Sequence, residues 1–145
     1  MATIKSYTDI EQSKKLAEIL PLESADMHYQ YVLPKSSKIK HNPEIGNPIN
    51  ALEWYNKGYT TSGKEPITLD EYCVPCWSLT TLLNVIPKRI KEYNVLRMDI
   101  DEKDFSIWYD EVGCGVNIEL PDIAMECPID ACVEMILKLH ELNLL

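Results

Sequence analysis

Cys73-Val-Pro-Cys-Trp-Ser-Leu-Thr-Thr-Leu-Leu-Asn-Val-Ile86 is the stretch on which the reading of the fold turns. Leu79, Leu82, Leu83 and Ile86 fall at i, i+3, i+4 and i+7, which places them on one face of an α-helix. Pro75 suits a first helical turn, where the missing N–H costs nothing, and Pro87 stops the helix at Ile86. The spacing therefore predicts a buried central helix over 76–86, entered through Pro75 and Trp77. Cys73 and Cys76 form a C-x-P-C pair at its start, where the helix dipole and free amides would favour a thiolate.

Downstream the period changes from helical to two. Asn94, Leu96, Met98 and Ile100 alternate with Val95, Arg97 and Asp99; Phe105, Ile107 and Tyr109 alternate with Ser106 and Trp108. A third run sets Val116, Ile118 and Leu120 against Asn117 and Glu119. Polar turns at 101–104 and 110–115 separate the runs, so a three-stranded antiparallel meander is expected over about 93–120. The segment from Pro121 to Pro128 reads as a connection to a last helix over 129–142. There Ala131, Met135, Leu139 and Leu142 make an apolar stripe, and Asp130 and Lys138 complement the two helix ends.

Upstream, Thr8-Asp-Ile-Glu11 has capping-box form and opens a helix over 9–20, with Ile10, Leu16, Ala17 and Leu20 inward. Met27–Leu33 alternates and predicts a strand ended by Pro34. The polar, Pro- and Gly-broken region at about 34–66 is loop-rich. Within it Asn47-Pro48 marks a helix start and Gly58 a helix end, with Ile49, Leu52 and Tyr55 inward. Thr68-Leu-Asp-Glu71 has capping-box form again. The expected architecture is α+β: a single domain over 1–145, its meander packed against the central and C-terminal helices.

Composition bounds the function classes. The 145 residues carry 23 Asp and Glu against 14 Lys and Arg, a net charge of −9. Residues 71–145 account for −8 of it, and a face that acidic repels phosphate backbones, which weighs against direct nucleic-acid binding. No apolar run approaches the roughly 20 residues of a membrane span. The N-terminus lacks an export-signal pattern, and 5 cysteines suit reduced thiols, so a cytoplasmic protein is expected.

Catalytic patterns are sparse. Cys73 as nucleophile with Cys76 as resolving thiol is the thiol-redox reading, but the polar residues before the pair do not resemble the strand that such motifs follow. A metal-binding domain is a further alternative, although one C-x-x-C supplies only two of the four ligands zinc takes, and His28, His41 and His140 follow no ligand spacing. Asp99–Asp104 has Asp104 where a calcium loop demands glycine. No cofactor fingerprint occurs, and the pattern points away from an enzyme. Trp54, Tyr55 and Tyr59 instead offer a candidate surface for a protein partner.

Three stretches carry a resemblance: Ser6–Met27, Trp77–Pro87 and Asp130–Leu145. Together they resemble a family of small uncharacterised proteins of Bacteroides-type gut bacteria, often encoded by prophages or other mobile elements. That resemblance implies a non-enzymatic accessory or interaction protein. It brings no cofactor and no catalytic residue.

Overall fold

The computed structural model describes residues 5–113 and 119–145, with the backbone alone of 59 and 60. Among the described residues the chain forms five helices and two antiparallel sheets, the α+β class expected from the sequence. Contacts divide it into two compact units, one Asp9–Thr81, the other Leu82–Leu145 with the segment ending at Thr8. No described helix is long and apolar enough to cross a membrane.

The Asp9–Thr81 unit opens with α1 (Ile10–Ala17). Its capping box sits one residue later than the sequence suggests. Asp9 Oδ1 accepts from the Gln12 amide at 2.8 Å, and Gln12 Oε1 accepts from the Asp9 amide at 3.1 Å. Both Thr8-x-x-Glu11 and Asp9-x-x-Gln12 satisfy the motif. The second frame leaves Thr8 wholly buried and puts Ser13 and Leu16 inward. Helical geometry ends at Ala17, short of the expected Leu20, with Glu18 as C-cap.

Strand β1 (Met27–Gln30) lies between β2 (Glu44–Ile45) and β3 (Cys73–Cys76), antiparallel to both. The β3 strand overturns the expected helix start. Met27 pairs with Cys76, His28 with Pro75, Tyr29 with Val74 and Gln30 with Cys73. Pro75 is tolerated because β3 is an edge strand, so a missing N–H can face away from β1. Four residues bearing one proline and two cysteines are too short to show a period, and the fixed proline φ suits strand and helix alike. All four are buried, and α1 packs on them.

Helix α4 (Leu79–Val85) therefore starts three residues after the expected 76. Its first turn is organised from a distance. Asp26 accepts from the Ser78 amide at 2.9 Å, from Ser78 Oγ at 2.6 Å and from Thr81 Oγ1 at 3.0 Å. Trp77, fully buried just before it, donates Nε1–H to Ser24 Oγ at 2.9 Å. At the other end Lys88 Nζ donates to the carbonyls of Leu83 and Ile86, a cationic cap where the helix dipole is negative.

The second unit is a four-stranded sheet ordered β4 (Arg89–Ile90), β5 (Asn94–Ile100), β6 (Phe105–Glu111), β7 (Ile123–Met125), all antiparallel neighbours. The β5–β6 hairpin is the one the alternation predicts, in the register Ile100 to Phe105. Asp101 Oδ1 accepts from the amides of Lys103 and Asp104, so these acids shape a turn rather than a cation loop. The expected third strand falls mostly on 114–118, outside the described residues. The strand that pairs with β6 is β7, inside the stretch read as a connection, since three residues give too little alternation to recognise.

Helix α5 (Pro128–Glu141) has proline at N1 and buries Ala131, Cys132, Met135, Ile136 and Leu139, whereas Leu142, expected on the same stripe, is its C-cap and stands exposed because helical geometry ends before it. It packs on β6 and β7, covering Phe105, Ile107 and Ile123 on the inner face of the sheet. Lys5 Nζ lies 2.7 Å from Asp130 Oδ1 in the helix's first turn.

Candidate functional site

Helix α2 (Pro48–Thr61) runs past Gly58, the expected stop, and that extension brings Thr61 to a groove along the helix. Asn47 caps its start. Its Oδ1 accepts from the Ile49 amide at 3.0 Å, and its Nδ2 donates to the carbonyls of Ala25 and Leu22 at 2.7 and 3.0 Å. One side chain thus begins the helix and ties it to the 3-10 turn at Leu22–Ser24.

The inner face of α2 packs Ala51, Leu52 and Tyr55 against Ile67, Cys73 and Tyr72, the last residue of the one-turn helix α3 (Leu69–Tyr72). Tyr55 and Tyr72 rings meet at 4.9 Å between centroids, the tilted geometry that aromatic quadrupoles favour. Asn56 clasps the returning chain with both ends of its amide. Nδ2 donates to the Ile67 carbonyl at 3.0 Å, and Oδ1 accepts from the Ile67 amide at 2.9 Å. The loop at 62–66 is thereby folded back along the helix.

A groove of about 600 Å³ results, lined by Trp54, Tyr55, Lys57, Gly58, Thr61, Ser62 and Lys64. Trp54 stands in it 80% exposed. Gly58 makes part of its floor: an added Cβ there would meet nothing within 4 Å, and its φ lies outside the left-handed region. Neither a steric nor a conformational demand of the described fold calls for glycine at this position. Of the partner-surface residues expected from sequence, Trp54 and Tyr55 come together in this groove, and Tyr59 lies on α2 with its side chain outside the described residues. Lys57, Thr61, Ser62 and Lys64 were not expected there. Trp54, Gly58 and Thr61 follow helical spacing, but only once the helix is known to continue through the glycine.

The thiols occupy different surroundings. Cys73 and Cys76 sit at the two ends of extended β3, both buried. Three strand steps separate their Cα atoms by roughly 10 Å, beyond the ~7 Å a disulfide can bridge. Alternation also sends the two side chains to opposite faces. Burial, with the charge of Asp70 adding to it, pushes the Cys73 thiol up to about 12. Cys132, buried in α5, is pushed up to about 12 by burial, with Lys88 opposing and Cys127 adding. A thiolate is disfavoured in both places.

His28 is buried in β1 and saturated with hydrogen bonds. Its Nδ1 lies 2.9 Å from the Gly46 carbonyl and its Nε2 3.2 Å from Gln30 Nε2, which also donates to Tyr72 Oη at 3.0 Å. The amide can only donate to Nε2, so Nδ1 carries the proton toward Gly46 in this arrangement. The Tyr72 hydroxyl is raised by burial, then by Cys73 and Glu44. Among the described residues no group of three or more His, Cys, Asp or Glu side chains is placed to hold a metal.

No family model matches the chain, and neither a curated protein nor a solved structure matches it.

Proposed function

We propose that the protein is a non-enzymatic interaction module that receives a protein partner in the α2 groove. Trp54 carries this reading. A tryptophan left 80% exposed beside Tyr55, over a floor of Gly58, is the kind of rigid aromatic anchor that dominates protein interfaces. The resemblance of Ser6–Met27, Trp77–Pro87 and Asp130–Leu145 to mobile-element proteins supports reading such a module as a prophage accessory protein, and the reduced-thiol reading of its cysteines supports action in the cytoplasm.

The test is proximity cross-linking of tagged protein in its own host, with quantitative mass spectrometry of wild type against Trp54→Ala. The expected result is a discrete partner whose recovery falls about tenfold or more on losing the anchor. The substitution is at an exposed site, so the circular dichroism spectrum stays unchanged. Recovery of every partner at wild-type level from the variant refutes the assignment of the groove.

A further inference from the structure

The β5 strand carries an edge that the sheet does not use. The amide of Val112 donates to the Tyr93 carbonyl and that of Asp101 to the Asp104 carbonyl, so odd-numbered residues turn their backbone groups toward β6. Even-numbered residues face the other way, where the Leu96 amide donates to the Lys88 carbonyl. The β4 ladder reaches only Val95 and Asn94. Among the described residues, no strand meets Met98 or Ile100 from that side. Their side chains share a face with Ile107 and Phe105, which are buried, yet Met98 is 47% and Ile100 75% exposed.

We propose that this edge pairs with the same edge of a second copy, antiparallel, about a two-fold axis at Met98. Leu96-Arg97-Met98-Asp99-Ile100 is complementary to itself when reversed. The axis sets Met98 opposite the partner's Met98, so each amide donates to the other's carbonyl. It sets Arg97 opposite the partner's Asp99, and Asp99 opposite the partner's Arg97. Both charged pairs lie on one face and the methionines on the other, because residues directly opposite in a ladder share a face. Shifting the axis by one residue would oppose Asp99 to Asp99, which like-charge repulsion disfavours.

Arg97 already points along the charged face, its Nε 3.5 Å from Asp110 Oδ2, with both side chains about half exposed. Lys88, opposite Leu96, limits the new ladder to Arg97–Asp99, with Ile100 at its rim. So short a ladder belongs to the small, reversible class of interface. A charged edge is also how monomers avoid pairing; here the order of the charges attracts a reversed copy rather than repelling it.

Sedimentation velocity under reducing conditions, from micromolar to near-millimolar protein, tests the pairing. Wild type is expected to shift reversibly from monomer to dimer. Arg97→Asp and Asp99→Arg each oppose like charges and should weaken the dimer about tenfold or more. The double swap Arg97→Asp/Asp99→Arg should restore it, and an equimolar mixture of the two single variants should form the heterodimer. Both positions of exchange are exposed, so circular dichroism is expected to match wild type. A wild type that stays monomeric throughout, single variants that dimerise as wild type does, or a mixture that stays monomeric each overturns the proposal.

Discussion

Gly58→Ala isolates what α2 sacrifices to keep its groove open. Glycine in a helix interior is less favourable than alanine by about 0.8–1 kcal/mol, through backbone entropy in the unfolded chain. The position sits close to the C-terminal end of Pro48–Thr61, where fraying reduces the gain, so about 0.5–1 kcal/mol of stabilisation is expected. No compensating loss arises, because the new Cβ meets nothing within 4 Å and the residue is not in the left-handed region. For a chain of this size that corresponds to about 1.5–3 °C in Tm. Thermal unfolding followed by circular dichroism, together with urea denaturation, reads the effect. An unchanged or lowered Tm would show that the glycine answers a demand of the fold, and would remove it as a sign that the groove is kept for an occupant. A raised Tm with weakened partner recovery would separate folding from binding at one methyl group.

Alkaline pH should unfold the protein earlier than its composition suggests. Cys73 and Cys132 hold their protons up to about 12, and burial also raises Tyr109. Unfolding returns each thiol to an ordinary pKa of about 8.5, so above that pH the unfolded state binds fewer protons. Stability then falls by up to about 1.4 kcal/mol per pH unit for each thiol until the folded pKa is reached. Tm measured from neutral pH to pH about 11 should decline from about pH 9; a flat profile refutes the buried-thiol assignment. Asp26→Ala removes the acceptor for the Ser78 amide and two hydroxyls. A loss of about 1–2 kcal/mol in urea denaturation is expected, with Asp26→Asn recovering part of it, and an unaffected midpoint would deny the carboxylate its capping role.

The elements legible in the sequence are those whose own residues repeat a period long enough to count. The α5 stripe and the β5–β6 hairpin each span several repeats, and their burial follows the pattern at Met135, Leu139, Phe105 and Ile107. β3 was illegible for the opposite reason: its state is set by β1, which lies far upstream, Met27 pairing with Cys76 across 49 positions. The groove was half legible. Trp54 and Tyr55 announce an aromatic surface, but Lys64 joins them only because Asn56 bonds both backbone groups of Ile67. Pairings of that kind leave no mark on local periodicity.

The carboxylate of Asp26 also imposes an order of events. Helix α4 is seven residues long, too short to persist alone in water. The groups that hold its first turn come from a residue 52 positions earlier, across the β1–β3 pairing. Closing the loop between them therefore precedes α4 and governs when it can form. During synthesis Asp26 has already emerged when Ser78 appears, so the helix can dock as it is made. A circular permutant opened between β1 and β3 would reverse that sequence and should delay α4, slowing refolding more than it lowers equilibrium stability.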